Sequence, residues 1–349
     1  MADSGITVRA VLHRLRTAGL VEAAQESGIR DFLAHRDVPP QQPWYVSALA
    51  GVGAWLAALC FISFLFAADL IPRWEAEYLF PWGLSFLVAS LLLRRFCRGI
   101  FPVQLALAVS AAGHALTLGG VGDLTDETGV LATVAVVLCA VQYPLNRDSV
   151  HRFLSTLTAV GFVFGWILEE EFSVLLYTLI AVEMVLVGRL FTWGRAPAAL
   201  RPLAHALTVG LVVTHLAWVG ETELVIPLWP ARVLGVAWML WVLHWCAGGG
   251  SLFRHESLAV AVVVAVILGV FMPPGLLAAL GLMVLGHALG EWVLLGSGAA
   301  FVPVFIVAYY LRLDLTMDLK AYHLMGAGLL LLVARGVLAR RPWARKEAP

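Results

Sequence analysis

Residues 172–190 read FSVLLYTLIAVEMVLVGRL, nineteen residues in which only Glu183 and Arg189 carry charge. At 1.5 Å per residue, a helix of that length covers about 28 Å, close to the hydrocarbon thickness of a bilayer. The run shows no strand alternation, and lipid admits only helices or closed barrels because each backbone polar group needs an internal partner. The stretch therefore predicts a transmembrane helix. Outward from it, comparable apolar runs fall near 45–69, 78–93, 101–119, 129–144, 153–168, 202–219, 231–247, 257–271, 275–294, 299–311 and 319–338. Hydrophobic residues make up 61% of the 349 and charged ones 13%, against about 45–50% and about 25% in soluble domains. That composition excludes the two soluble domains such a length would otherwise suggest. A formal net charge of zero gives no reason to expect a nucleic-acid partner. The expected fold class is all-α, a polytopic transmembrane bundle of about twelve spans. A cytoplasmic N-terminal helical segment (1–42) precedes the membrane domain (43–338), and a basic cytoplasmic tail (339–349) follows it.

Charge predicts which way the bundle faces. With a cytoplasmic N-terminus, nineteen of the twenty-three Lys and Arg residues fall on that side, among them Arg94, Arg95, Arg98, Arg147, Arg152, Arg195 and Arg201. Only Arg73, Arg232, Arg312 and Lys320 fall opposite. The positive-inside rule then predicts that both termini lie on the cytoplasmic side of the membrane. Ten of thirteen tryptophans lie near span ends, where amphipathic rings prefer to sit; Trp55, Trp238 and Trp241 are the exceptions. No external loop carries a cysteine, so no disulfide framework is expected. In the N-terminal segment, Val8, Val11, Leu12 and Leu15 repeat at helical spacing up to Gly19. Ile29, Phe32 and Leu33 follow, and Pro39, Pro40 and Pro43 end what reads as a helical hairpin. It could pack on the protein's own cytoplasmic face, dock a partner, or lie on the membrane surface.

Ionisable residues inside a bilayer are costly, so each is a candidate site. Counting 1.5 Å per residue from each span centre, Glu183 lies roughly 3 Å from the midplane, His287 roughly 4 Å and His244 about 7 Å, all on the cytoplasmic side. Glu291 follows His287 by four residues on the same helical face. In the outer half, His114 and His215 share a level at roughly 6–8 Å. This makes two tiers, Glu183, His287, Glu291 and His244 within, His114 and His215 without. A carboxylate and imidazoles at matched depth suit a proton relay. They equally suit structural hydrogen bonds between helices. Bis-histidine haem or metal ligation would need facing histidines, for which His114 and His215 are the one candidate pair. No cofactor is expected.

Other signals are absent or incomplete. Gly120-Val121-Gly122-Asp123 spells the string of intramembrane aspartyl proteases, but the second intramembrane Asp that would share a proton is missing. His255-Glu256 lacks the following His of a zinc-protease helix, and neither a Walker A loop nor a serine elbow is present. The chain is therefore not expected to be an enzyme. Gly286 and Gly290 form a Gly-xxx-Gly pair in the tenth span, Pro81 and Pro303 interrupt the second and eleventh, and Gly296-Ser297-Gly298 reads as a short link between spans. Gly113-His114-Ala115-Leu116 recurs as Gly286-His287-Ala288-Leu289, a weak hint of inverted symmetry.

Two segments resemble a known family. The entry to the first span, Pro43-Trp44-Tyr45-Val46 followed by Trp55-Leu56-Ala57-Ala58, is similar to the start of a bacterial membrane family known as domain of unknown function 4401. Tyr309-Tyr310-Leu311 through Leu315-Thr316, Lys320 and Gly326 resemble its closing motif. The resemblance covers residues 43 to about 338. Ala321 stands where the family pattern has Ser after the Lys. The family implies no activity, but its members are often encoded beside a smaller membrane-anchored protein with a GDYxxLxY motif, which implies a partner on the outer side. Independently, Tyr309, Tyr310, Arg312, Asp314, Asp318 and Lys320 bunch at one interface with both signs of charge, as an internally paired loop or as a contact surface. The leading expectation is a non-catalytic membrane component of a complex; the alternative is a proton- or ion-coupled transporter using intramembrane Glu and His.

Overall fold

The computed structural model describes residues 44–71, 73–97, 99–193, 197–216, 228–248, 256–312 and 317–339. The expected hairpin over residues 1–42 and the tail from 340 onward lie outside the described residues, as does Asp314. Each of the expected apolar stretches overlaps an α-helix, although the one expected at 275–294 is broken at Gly290 and Glu291 and the one at 202–219 runs past the described residues: α1 (Trp44–Ala67), α2 (Ala76–Phe96), α3 (Ile100–Leu124), α4 (Thr128–Leu145), α5 (Ser149–Glu169), α6 (Ser173–Thr192), α7 (Arg201–His215), α8 (Leu228–Cys246), α9 (Glu256–Phe271), α10 (Pro274–Leu289), α11 (Trp292–Arg312) and α12 (Met317–Ala339). Among the described residues there is no strand. Five helices, α2 to α6, are long and apolar enough to cross a membrane; shorter apolar stretches lie in α1, α9, α10 and α11.

Large apolar side chains stay uncovered on outward faces, such as Val136, Val137 and Val141 on α4, Val182, Val185 and Leu186 on α6, and Leu329, Leu332 and Val333 on α12. Water does not tolerate so continuous an apolar surface on a folded chain. The chain is a helical membrane protein.

From Ala54 onward the chain is one compact unit, distinct from the stretch ending at Gly53. Its main core joins α5, α6, α7, α8, α10 and α11 through Ile167, Ile180, Leu211, Val242, Leu282 and Phe305. A smaller core holds Leu65, Leu79, Phe86 and Leu116 of α1, α2 and α3. In lipid the hydrophobic effect does not drive helix against helix, so close packing must. At the α2–α3 crossing, a Cβ on Gly83 would lie 2.6 Å from the Thr117 backbone nitrogen, and one on Gly113 would lie 3.0 Å from the Gly83 carbonyl oxygen. Two of the tryptophans away from span ends belong to the main core: Trp238 and Trp241 stack with centroids 5.5 Å apart.

Two differences from the sequence reading concern α10 and α11. Gly290 is not a packing position: it ends α10 in the left-handed conformation at φ 70°, which a residue without a Cβ adopts at little cost. The chain therefore turns at Gly290 and Glu291, and Gly296-Ser297-Gly298 lies within α11. Gly286 still makes a close approach, with a Cβ there 2.5 Å from the Leu295 backbone nitrogen. Pro81 and Pro303 stay within continuous helices.

Helix ends sort into two groups by direct contact. At one end Arg94 pairs with Asp148, Arg152 and Tyr143 both reach the Ala199 carbonyl, and Arg201 lies 3.9 Å from Glu291. At the other, Asp123 accepts from the Ala76 backbone N–H, Trp74 packs on Gly119, and Trp166 on Gly129. Each contact joins ends that charge counting assigns to the same face.

Candidate functional site

The candidate residues separate into several environments. Glu183, in the middle of α6, is fully buried. Thr214 Oγ1 on α7 lies 2.9 Å from Glu183 Oε2 and 3.0 Å from the Leu211 carbonyl oxygen. A hydroxyl carries one proton, so both contacts are full hydrogen bonds only when Glu183 supplies the second proton as a neutral acid. Gly210 makes room for this carboxyl group: a Cβ there would come within 2.6 Å of Glu183 Oε1 and 2.9 Å of a Val160 methyl. Oε1 has no hydrogen-bond partner among the described residues. Ile180, Met184, Leu207 and Leu211 of the same two helices belong to the buried apolar core.

His215 follows Thr214. Its Nδ1–H donates to the same Leu211 carbonyl at 2.6 Å, and its ring meets Phe305 edge-on with centroids 6.4 Å apart. One turn of α7 thus links the three groups: the Leu211 carbonyl oxygen faces both Thr214 and His215, and the Thr214 hydroxyl in turn meets Glu183. The other members of the inner tier do not join it. His287 and His244 are exposed, and Glu291 is half-buried beside Arg201 at the chain turn after α10.

His114 belongs to a second cluster, on α3. Its Nδ1 lies 2.9 Å from the Ser110 carbonyl oxygen. Because a carbonyl only accepts, Nδ1 carries the proton and Nε2 is a bare acceptor in the neutral ring. His151 of α5 stands opposite, ring centroid 5.5 Å from that of His114, with Nε2 2.7 Å from Ser110 Oγ. The apolar run in the sequence begins at 153, which leaves His151 outside the intramembrane residues that it singles out. Asp148 begins the helix four residues earlier: its carboxylate accepts from the Val150 and His151 backbone N–H groups, an N-cap that adds a turn. The signal was present as Asp148-Ser149 ahead of the apolar run. Asp148 also receives both Arg94 terminal nitrogens at 2.6 Å, which ties the start of α5 to the end of α2.

Between α3 and α5 lies a cavity of about 820 Å³ with His114 and His151 in its wall. Trp55, the third tryptophan away from the span ends, lines it, as do Trp74, Ser155 and Thr158, with Asp123 toward one end. Among the described residues no group of three His, Cys, Asp or Glu could hold a metal ion.

In the interfacial cluster, Tyr309, Tyr310 and Arg312 fall in the last turn of α11, and Asp318 and Lys320 in the first turn of α12. Asp318 is exposed; the other side chains of this cluster lie outside what the structure describes.

A family model described as a domain of unknown function (DUF4401) matches residues 43–341. Nothing among the curated proteins or the solved structures matches the chain.

Proposed function

Because the chain belongs to the DUF4401 family, whose description assigns no activity, we propose a function from its geometry: a non-catalytic membrane component of a complex. One observation carries this reading. Glu183, the deepest carboxyl group, is sealed in apolar packing and bonded to Thr214. A transport path through Glu183 needs a wet cavity reaching it. The cavity of about 820 Å³ lies beside His114 and His151, and Glu183 is not among the residues of its wall. His287 is exposed and Glu291 lies beside Arg201, which favours this reading over a relay through the inner residues. The Glu183 cluster acts as glue between α6 and α7.

The wider placement belongs to the same proposal. The chain makes about twelve crossings of a bacterial inner membrane with both termini in the cytoplasm, supported by the nineteen-to-four split of basic residues and by the same-face contacts of the helix ends. The α11–α12 junction, with its tyrosines and mixed charges, offers the outer contact surface, and a membrane-anchored GDYxxLxY protein is the expected partner. Purification of the tagged full chain in mild detergent should recover one membrane protein in constant ratio. Repeated recovery of the chain alone overturns the proposal. Flux driven by a pH gradient in proteoliposomes, lost on Glu183→Gln, would establish transport in its place.

A further inference from the structure

The turn between α4 and α5 joins two helices that are each long and apolar enough to cross a membrane, so it stands at the level of the lipid headgroups. Arg152, in the first turn of α5, is spent there on backbone oxygens. Its Nε donates to the Tyr143 and Asn146 carbonyls at 2.9 and 2.8 Å, and Nη1 lies 3.5 Å from the Ala199 carbonyl oxygen. The guanidinium carbon stands 4.8 Å from the centroid of the Tyr143 ring. All of these partners are neutral. Among the described residues no carboxylate pairs with Arg152, and its Nη2 has no partner and is not enclosed.

A second free cation adjoins it. The Asn146 carbonyl that accepts from Arg152 belongs to the peptide that leads into Arg147. Arg147 is exposed and pairs with no acid among the described residues. The neighbouring acid, Asp148, is already taken: both terminal nitrogens of Arg94 reach it at 2.6 Å, and it accepts from two backbone N–H groups. Arg201, two residues past Ala199, has only Glu291 at 3.9 Å. Positive charge is therefore in excess here, with donors still unspent. A guanidinium fork matches the oxygens of a phosphate.

The position selects a lipid over a free anion. Ala140 and Val136 follow Tyr143 along the same edge of α4, about one and two turns toward the membrane centre, and both are exposed. A phosphodiester resting on the two arginines has this apolar edge beside it for its acyl chains. The net charge of the headgroup then decides affinity. A zwitterionic lipid carries its own ammonium next to the phosphate and cancels much of the attraction, whereas an anionic one does not.

We propose that Arg147 and Arg152 hold the phosphate of an anionic phospholipid at the α4–α5 turn. The test is native mass spectrometry of the full chain, delipidated in a neutral maltoside detergent and titrated with phosphatidylglycerol or with phosphatidylcholine of the same acyl chains. Phosphatidylglycerol should be retained saturably and at least about tenfold more tightly, which corresponds to about 1.4 kcal/mol. Arg147→Gln alters an exposed side chain and should lower that affinity about fivefold, or about 1 kcal/mol, while leaving phosphatidylcholine unchanged. Arg189, exposed and unpaired in the last turn of α6, is the control for diffuse charge. Arg189→Gln should change the affinity by less than about twofold, because salt screens exposed charges at a distance. Equal retention of the two lipids by the unmodified chain overturns the proposal, and that comparison needs no variant to fold. Equal losses in Arg147→Gln and Arg189→Gln also overturn it, leaving only the general attraction of a basic face. Displacement of the lipid by inorganic phosphate at the same concentration would overturn the lipid and assign the arginines to a free anion.

Discussion

Two clusters of intramembrane polar residues, built from similar side chains, are treated oppositely by this fold. Around Glu183 the helices close: Gly210 lets α7 press against the carboxyl group, Thr214 binds it, and the main core surrounds both. Around His114 and His151 the helices part, leaving about 820 Å³ and two ring nitrogens without partners. The chemistry of the side chains does not separate the two cases. The facing helix does: α7 offers Gly210 to Glu183 and closes on it, whereas α5 sets the bulky ring of His151 against His114. Close packing commits the Glu183 carboxyl group to the fold even though its Oε1 has no partner among the described residues.

Filling the closed side should have the largest effect. In Gly210→Val the new Cβ would stand 2.6 Å from Glu183 Oε1, with Val160 blocking retreat. Overpacking of this kind typically costs about 1–3 kcal/mol, and the displaced acid loses its Thr214 bond as well. A thermal melt in detergent should fall steeply, with much of the protein eluting as aggregate. A melting point within a degree or two of the parent would mean that α6 and α7 are not closely packed here.

Removing the hydroxyl is gentler. Thr214→Val should cost about 1–2 kcal/mol, since it strips Glu183 of its partner within the core. The informative measurement is the double-mutant cycle. Glu183→Met combined with Thr214→Val replaces both polar groups by apolar ones of similar shape, and it should be more stable than Thr214→Val alone. Additive losses would show that the two side chains do not interact and that the cluster is not glue.

On the open side the position of His151 depends on the cap beneath it. Asp148→Ala loses both the two capping bonds and the Arg94 pair, and should destabilise by about 1 kcal/mol. Asp148→Ser keeps an oxygen for the backbone N–H groups and should recover most of that loss. If Ser rescues nothing, the Arg94 contact rather than the cap holds the start of α5.

The sequence announces the helices plainly because a bilayer demands long apolar runs, and each expected run overlaps a helix, with the run at 275–294 split between two. The exceptions are local. A helix starts at its cap and not at its first apolar residue, which is how His151 was passed over. A single left-handed glycine stops a helix inside an apolar run, which is why α10 ends at Leu289 and the expected Gly-xxx-Gly pair dissolves. Partnership between side chains was less legible. Matched depth put Glu183 with His287, yet His287 is exposed, while Thr214, which sequence gave no reason to choose, holds the carboxyl group. Depth is one coordinate of three, and the rotation of each helix about its axis depends on packing that no single segment records.

The smallest effect tests the contrast most directly. His114→Phe keeps a ring of similar size, and it removes the Nδ1 bond to Ser110 together with the unpartnered Nε2. The Ser110 carbonyl belongs to the interior of α3, where the helix ladder still serves it. Losing one modest bond while deleting an unsatisfied buried atom should leave stability within about 0.5 kcal/mol of the parent, or slightly above it. On the closed side the matching deletion, Thr214→Val, strands a carboxyl group and costs more. The difference in melting shift between these two variants therefore measures how far each cluster is committed to the fold. A large loss for His114→Phe would mean that the histidine pair is also glue.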